Sequence, residues 1–197
     1  RARGVLKGPV DHDVPVLSVR GEGGELRAVL FGYACHATTL ALQQWNGDYP
    51  GYAQIALEKA YPGATALFWA GCGADQNPLP RRTVELAQGY GNRLAAAVEE
   101  TLAGTLRPVQ GTLATYYQEV PLPLATLPTI DEIKANLTSK NRFEAGRARW
   151  LLRDIEAGQP LQKHYPYPIA TWKIGDTVAL VILGGEVVID YALSIKE

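Results

Sequence analysis

An apolar run at residues 26–35 stops abruptly on a histidine, and this junction constrains the fold more than any other feature of the chain. Ala28, Val29, Leu30 and Phe31 succeed one another without a polar interruption, the pattern of a strand buried on both faces. The next segment is polar and turn-forming: His36-Ala37-Thr38-Thr39-Leu40, then Asn46-Gly47-Asp48-Tyr49. A histidine carried by a buried strand to a polar turn is how a metal ligand or catalytic imidazole is presented. It is equally how a structural imidazole comes to hold a backbone carbonyl.

The pattern on either side alternates strands and helices. Residues 14–20 read as a strand, broken by the hairpin loop Gly21-Glu22-Gly23-Gly24. Residues 52–59 read as a helix, with Asp48 as N-cap and Pro50 in the first turn. Residues 64–70 form a third buried strand that runs into Gly71-Cys72-Gly73-Ala74-Asp75-Gln76-Asn77-Pro78. Over 83–102, Leu86, Tyr90, Leu94, Ala97, Val98 and Thr101 make one helical stripe, with Gly104 just past its end. Residues 111–120 alternate as a strand, after which Pro121, Pro123 and Pro128 are expected to forbid regular structure. Thr129 to Glu132 is a capping box opening one long helix to about residue 157, closed by Gly158. Residues 159–168 read as a loop. A hairpin, 169–174 and 177–183, turns at Gly175-Asp176, and Gly184-Gly185-Glu186 leads into a final helix. The expected fold is α/β: a single layered domain over 1–197 with a mixed, largely buried sheet flanked by helices.

Composition removes some classes of function. Lys and Arg number 19 against 20 Asp and Glu, so nothing in the charge balance supports binding to nucleic acid. No run reaches the ~18 apolar residues of a transmembrane segment. The chain starts at Arg1 and has no Met, and is read as a piece of a longer protein; the lack of a leader therefore says nothing of compartment. Of its two cysteines, Cys35 and Cys72, the sequence leaves open buried thiols, a disulfide, or a chemical role.

Three strand ends meet functional-looking turns: His36, residues 71–78, and 184–186. In open α/β sheets, sites gather at such ends. Each residue also has a plainer reading. Asp48 and Asp75 serve as cap or turn residues, Glu186 suits the first turn of a helix, and His12 and His164 lie in Pro-containing loops. Residues 71–74 lead into no Gly-Lys-Ser/Thr, so they are no phosphate loop.

The order of these motifs resembles the neutral/alkaline, non-lysosomal ceramidase family. Cys35-His36-Ala37-Thr38-Thr39 comes first, then Gly47-Asp48-Tyr49-Pro50-Gly51-Tyr52-Ala53, then the strand into 71–78, then Gly184-Gly185-Glu186. The resemblance runs from about Gly8 to the last residue. It is to the N-terminal catalytic domain and its compact bacterial relatives, and implies that this chain is an internal fragment of such a domain.

The resemblance implies a zinc-dependent amide hydrolase in which metal-activated water attacks an N-acyl, ceramide-like amide. His36 and Glu186 match two family zinc ligands, a second histidine being expected before Arg1 and a tyrosine beyond Glu197. Cys35, Thr38 and Gly47 flank the ligand or its neighbour and are expected to orient them. Asp48 matches the family's Gly-Asp pair, for which an orienting or acid–base role is implied, and Asp75, also expected among the catalytic residues, aligns with Pro78 to a segment whose serine is implicated in catalysis. Here that position is Asn77, which donates a hydrogen bond to a carbonyl but is no nucleophile. The substrate implied is a small-molecule or lipid amide, with peripheral contact at a membrane surface and a secreted or periplasmic setting. Two other readings stand: a ceramidase-like binding domain that has lost its chemistry, and a cysteine hydrolase using Cys72 with His36.

Overall fold

A computed structural model describes residues 8–197. In chain order the elements are β1 (Val16–Arg20), β2 (Leu26–Tyr33), α1 (Asp48–Ala60), β3 (Thr65–Ala70), α2 (Val84–Ala103), β4 (Leu113–Pro123), α3 (Ile130–Asn136), α4 (Arg142–Glu156), β5 (His164–Ile174), β6 (Val178–Leu183) and α5 (Ile189–Lys196). The fold is α/β, as expected. The elements fall into two compact units, Arg1–Pro108 with Gly185–Glu197, and Val109–Gly184.

The first unit holds a mixed sheet in the order β1-β2-β3, with β1 antiparallel and β3 parallel to β2. Alternation in β2 and β3 turns Val29, Phe31 and Ala66 to one face, where they meet Tyr49, Ala53 and Leu57 of α1 and Leu94, Ala95 and Val98 of α2. Phe31 and Leu57 are almost wholly buried, each worth roughly 1.5–3 kcal/mol of transfer free energy. Phe68 meets the rings of Phe31 and Tyr49 edge-on, with centroids 5.6 and 6.1 Å apart. Burial is nonetheless one-sided. Val19 and Leu67, on the opposite face, are 51% and 46% exposed. An unbroken apolar run signals a strand in a core, but it cannot say that both helices will choose the same side.

The second unit is an antiparallel sheet, β4-β5-β6, with the helices α3 and α4. Two expectations fail here. Strand β4 continues through Pro121 and Pro123, which pair in register with Pro166 and His164 of β5. The loop expected at 159–168 thus becomes strand from His164 onward. Proline is tolerated because β4 is an edge strand, and because Pro166 and Pro168 lie before β6 begins to pair, at Ile169. The long helix also breaks, into α3 and α4. The capping box at Thr129 and Glu132 forms as read. Beyond it, Thr138 bonds back to the Ala135 carbonyl, and Asn141 caps α4 by accepting the Phe143 N–H. Hydroxyl and amide side chains compete with the backbone for its hydrogen bonds, and here they win.

Candidate functional site

The candidate site residues Cys35, His36, Thr38, Gly47, Asp48, Asp75, Asn77 and Glu186 all belong to the first unit, while His164 and Gly184 belong to the second. Strand β2 ends at Tyr33, two residues before the expected limit, so Cys35 and His36 lie on the loop beyond it. That loop is held by backbone partners. The Tyr49 hydroxyl donates to the Cys35 carbonyl at 2.7 Å, and the His36 N–H donates to the Gln76 carbonyl at 2.9 Å. The approach is close: a Cβ on Gly73 would lie 2.6 Å from the Cys35 nitrogen, so glycine is required there.

The half-buried His36 ring places Nε2 2.8 Å from the Ala74 carbonyl oxygen. A carbonyl only accepts, so Nε2 carries a proton, and in the neutral ring the lone pair is on Nδ1. The same residue reaches the other half of the site. The Ala74 N–H donates to the Val187 carbonyl at 3.0 Å, and the neighbouring Asp75 carboxylate accepts the Ile189 N–H at 3.1 Å. His36 and the turn bearing the exposed Glu186 are therefore joined through residues 74 and 75.

Asp75 holds the start of α5. The Ile189 N–H is the main reason its carboxyl sits below the usual range, with help from Gln76 and from the nearby His36. Asp48 is not the N-cap; Gly47 is, without a side-chain bond. Asp48 is the first helical residue, 4% exposed, at φ 49°. One carboxylate oxygen accepts the Leu40 N–H and the other the Tyr49 N–H, both at 2.7 Å. It pins the loop that carries His36. Gly47 itself packs against Gly51, whose Cα would lie 2.8 Å from an added Cβ.

Thr38, expected to orient His36, instead donates to Asn77 Oδ1 at 3.3 Å, and Arg81 donates to the same oxygen at 3.1 Å. Arginine cannot accept, which identifies that atom as the oxygen and leaves the Asn77 amide nitrogen as a donor. The Cys35 thiol lies 3.7 Å from the Gln76 carbonyl. Burial pushes it up to about 11, with the Asp48 charge adding to the effect, and burial raises Cys72 as well. Both cysteines are free and half-buried. Neither has the depressed pKa of a thiolate nucleophile.

Imidazole nitrogen and carboxylate oxygen are the donor types zinc takes. Among the described residues, no three His, Cys, Asp or Glu side chains are grouped to hold a metal ion. His36 and Glu186 are of the donor types that zinc takes, and they are two where a catalytic site needs three protein ligands. A cavity of about 470 Å³ adjoins this strip: Cys35 and Asn77 line it, while His36, Asp75 and Glu186 do not. It is also lined by Tyr33, Arg93 and His12, none of which sequence reading picked out for this site. No spacing or motif marks them, because three separate elements bring them together.

No family model and no curated protein matches this chain. Its fold matches part of solved structures that include the following two. One is a neutral ceramidase from Pseudomonas aeruginosa: 20% identity, TM-score 0.63, covering 94% of this chain and 36% of that one. The other is a ceramidase complexed with C2: 19% identity, TM-score 0.65, covering 94% of this chain and 38% of that one. The chain spans well under half the length of either. At this level of identity the likeness is one of fold, and in fold the chain is a ceramidase-like segment.

Proposed function

We propose that this chain is a segment of a longer catalytic domain that hydrolyses an N-acyl amide with zinc. The observation that carries the reading is the pairing through Ala74: an imidazole whose neutral form has its lone pair on Nδ1, tied by hydrogen bonds to the turn that bears Glu186. Metal-bound histidine characteristically donates its other N–H to a backbone carbonyl, as His36 does here. The ceramidase-like fold supports the same reading.

In this reading His36 and Glu186 hold the metal, and the remaining ligands come from outside the chain. Zinc, when bound, supplies Lewis-acid polarisation and lowers the pKa of water towards about 7. The Asn77 amide nitrogen, its oxygen fixed by Thr38 and Arg81, donates to the substrate carbonyl and to the charge that develops on it. Asp48 and Asp75 position the two loops and do not exchange protons with substrate. A membrane-facing lipid amide in an extracytoplasmic setting is compatible with this site. No described helix is long and apolar enough to cross a membrane.

The test is zinc content and hydrolysis of a fluorescent N-acyl amide, measured on the full-length protein that carries this chain. His36→Ala and Glu186→Gln should each abolish turnover and strip the metal, whereas Asn77→Ala should lower turnover roughly a hundredfold with zinc retained. The isolated 197-residue chain should bind zinc weakly and hydrolyse nothing. Tight one-to-one zinc binding by the isolated chain would overturn the ligand assignment.

A further inference from the structure

The cavity beside Asn77 carries a charge that amide hydrolysis does not require. Arg93, exposed on α2, lies with its guanidinium carbon 4.9 Å from the centroid of the Tyr90 ring. Both residues line the cavity. Among the described residues Arg93 makes no ion pair. No Asp or Glu lines the cavity. The acids flanking His12, Asp11 and Asp13, are already engaged, both holding Lys196 Nζ at 2.6 and 2.8 Å. His12 itself lines the cavity, with Nδ1 3.3 Å from the Tyr33 hydroxyl, which adds a second polar pair. Val14, Leu94 and Ala97 contribute apolar lining.

A guanidinium held over an aromatic ring and lacking a counter-ion is a receptor for a planar anion, and carboxylate matches its fork of donors. The volume, about 470 Å³, lies within the ~300–1,000 Å³ range of small-molecule pockets. A neutral amide would form no ion pair with Arg93. We propose that this cavity takes the acid end of the substrate, which is an N-acyl amide bearing a carboxylate, with the carboxylate on Arg93 and alkyl carbons against Val14, Leu94 and Ala97. This names the substrate class of the site proposed above and rests on that reading.

Calorimetric titration of the full-length protein that carries this chain, treated with a chelator so that nothing is turned over, with N-octanoylglycine, its methyl ester and N-octanoylethanolamine tests the assignment. The acid should bind roughly tenfold or more tightly than either neutral compound, and the margin should shrink as salt is raised. Arg93→Gln should remove the margin without changing ester binding, and Arg93→Lys should keep part of it. Arg93 is exposed, so both variants should melt like the parent chain. Equal binding of acid and ester, or a preference that survives Arg93→Gln, overturns the proposal. Acid-selective binding without turnover by the untreated full-length protein supports this site and counts against the hydrolase reading. Equal turnover of acid and neutral amides supports hydrolysis and overturns the acid-end assignment.

Discussion

The imidazole of His36 and the carbonyl of Ala74 meet at 2.8 Å, and the N–H of Ala74 in turn reaches Val187. One residue therefore couples the loop after β2 to the turn before α5. Removing the ring should loosen both. His36→Ala should lower stability by about 1–2 kcal/mol. It should also speed hydrogen exchange at the Ile189 amide, which bonds Asp75 and not His36, so a loss confined to the His36–Ala74 contact would leave it unchanged.

Asp48 should be the more damaging site. Its carboxylate satisfies the N–H groups of Leu40 and Tyr49 from a nearly closed position at positive φ. Asp48→Ala strands both donors and places alanine in the left-handed region, so urea denaturation should register a loss of about 2–4 kcal/mol. Asp48→Asn tolerates that backbone and keeps one acceptor, and should lose about half as much. An alanine variant as stable as the parent would contradict the anchoring role.

Thr39 is fully buried, and its hydroxyl has no hydrogen-bond partner among the described residues. Replacing an unsatisfied hydroxyl with a methyl group of the same shape removes a desolvation penalty. Thr39→Val should therefore leave the melting temperature unchanged or raise it, by up to ~1 kcal/mol in stability. A clear loss would mean that a group beyond the described residues satisfies the hydroxyl.

Two attachments of α5 depend on pH. The Asp75 carboxyl is depressed chiefly by the Ile189 N–H. Asp11 is depressed as well: burial opposes this, and the bonds from Lys196 and from the Asp13 backbone outweigh it. A depressed carboxyl stabilises the fold above its unfolded pKa of ~3.9, and that contribution is lost as pH falls through the folded value. Lys196 is shifted upward; burial pulls it down, but Asp11 and Asp13 prevail. Its contribution is complete below ~10.4 and is lost as pH rises through the raised value. Stability measured against pH should be flat between these limits and fall on both sides. Asp75→Asn should make the acid limb shallower and leave the alkaline limb alone, whereas Lys196→Met should flatten the alkaline limb and, because Lys196 is what holds Asp11 down, reduce the acid limb as well.

The Cys35 thiol, pushed up to about 11 by burial and the Asp48 charge, is almost wholly protonated at neutral pH. Iodoacetamide should label it slowly at pH 7 and faster as pH rises towards 10. Amide hydrolysis by the full-length protein should survive brief alkylation at pH 7. Rapid stoichiometric labelling with loss of turnover would restore a cysteine mechanism.

The part of the fold legible in the sequence is the part set by local chemistry. For α2, the Thr83 cap, the apolar stripe and Gly104 all agree, and the helix forms within a residue or two of its expected ends. The capping box at Thr129 is equally local. Where the expectation fails, a long-range partner decides. Pro121 remains in a strand because Pro166 lies opposite it. Asp48 serves Leu40 because the chain doubles back eight residues.

By itself, the sequence determined the α/β class, the order of the elements, and the delivery of His36, residues 71–78 and Glu186 to turns beyond strands, because periodicity and turn chemistry act over a few residues. Only tertiary structure decided that Ala74 would connect His36 to the Glu186 turn, that Thr38 would hold Asn77, and that Arg93 would stand in a cavity without an acid among its lining residues. Such encounters depend on how a helix packs and where a loop returns. No stretch of neighbouring residues encodes that geometry.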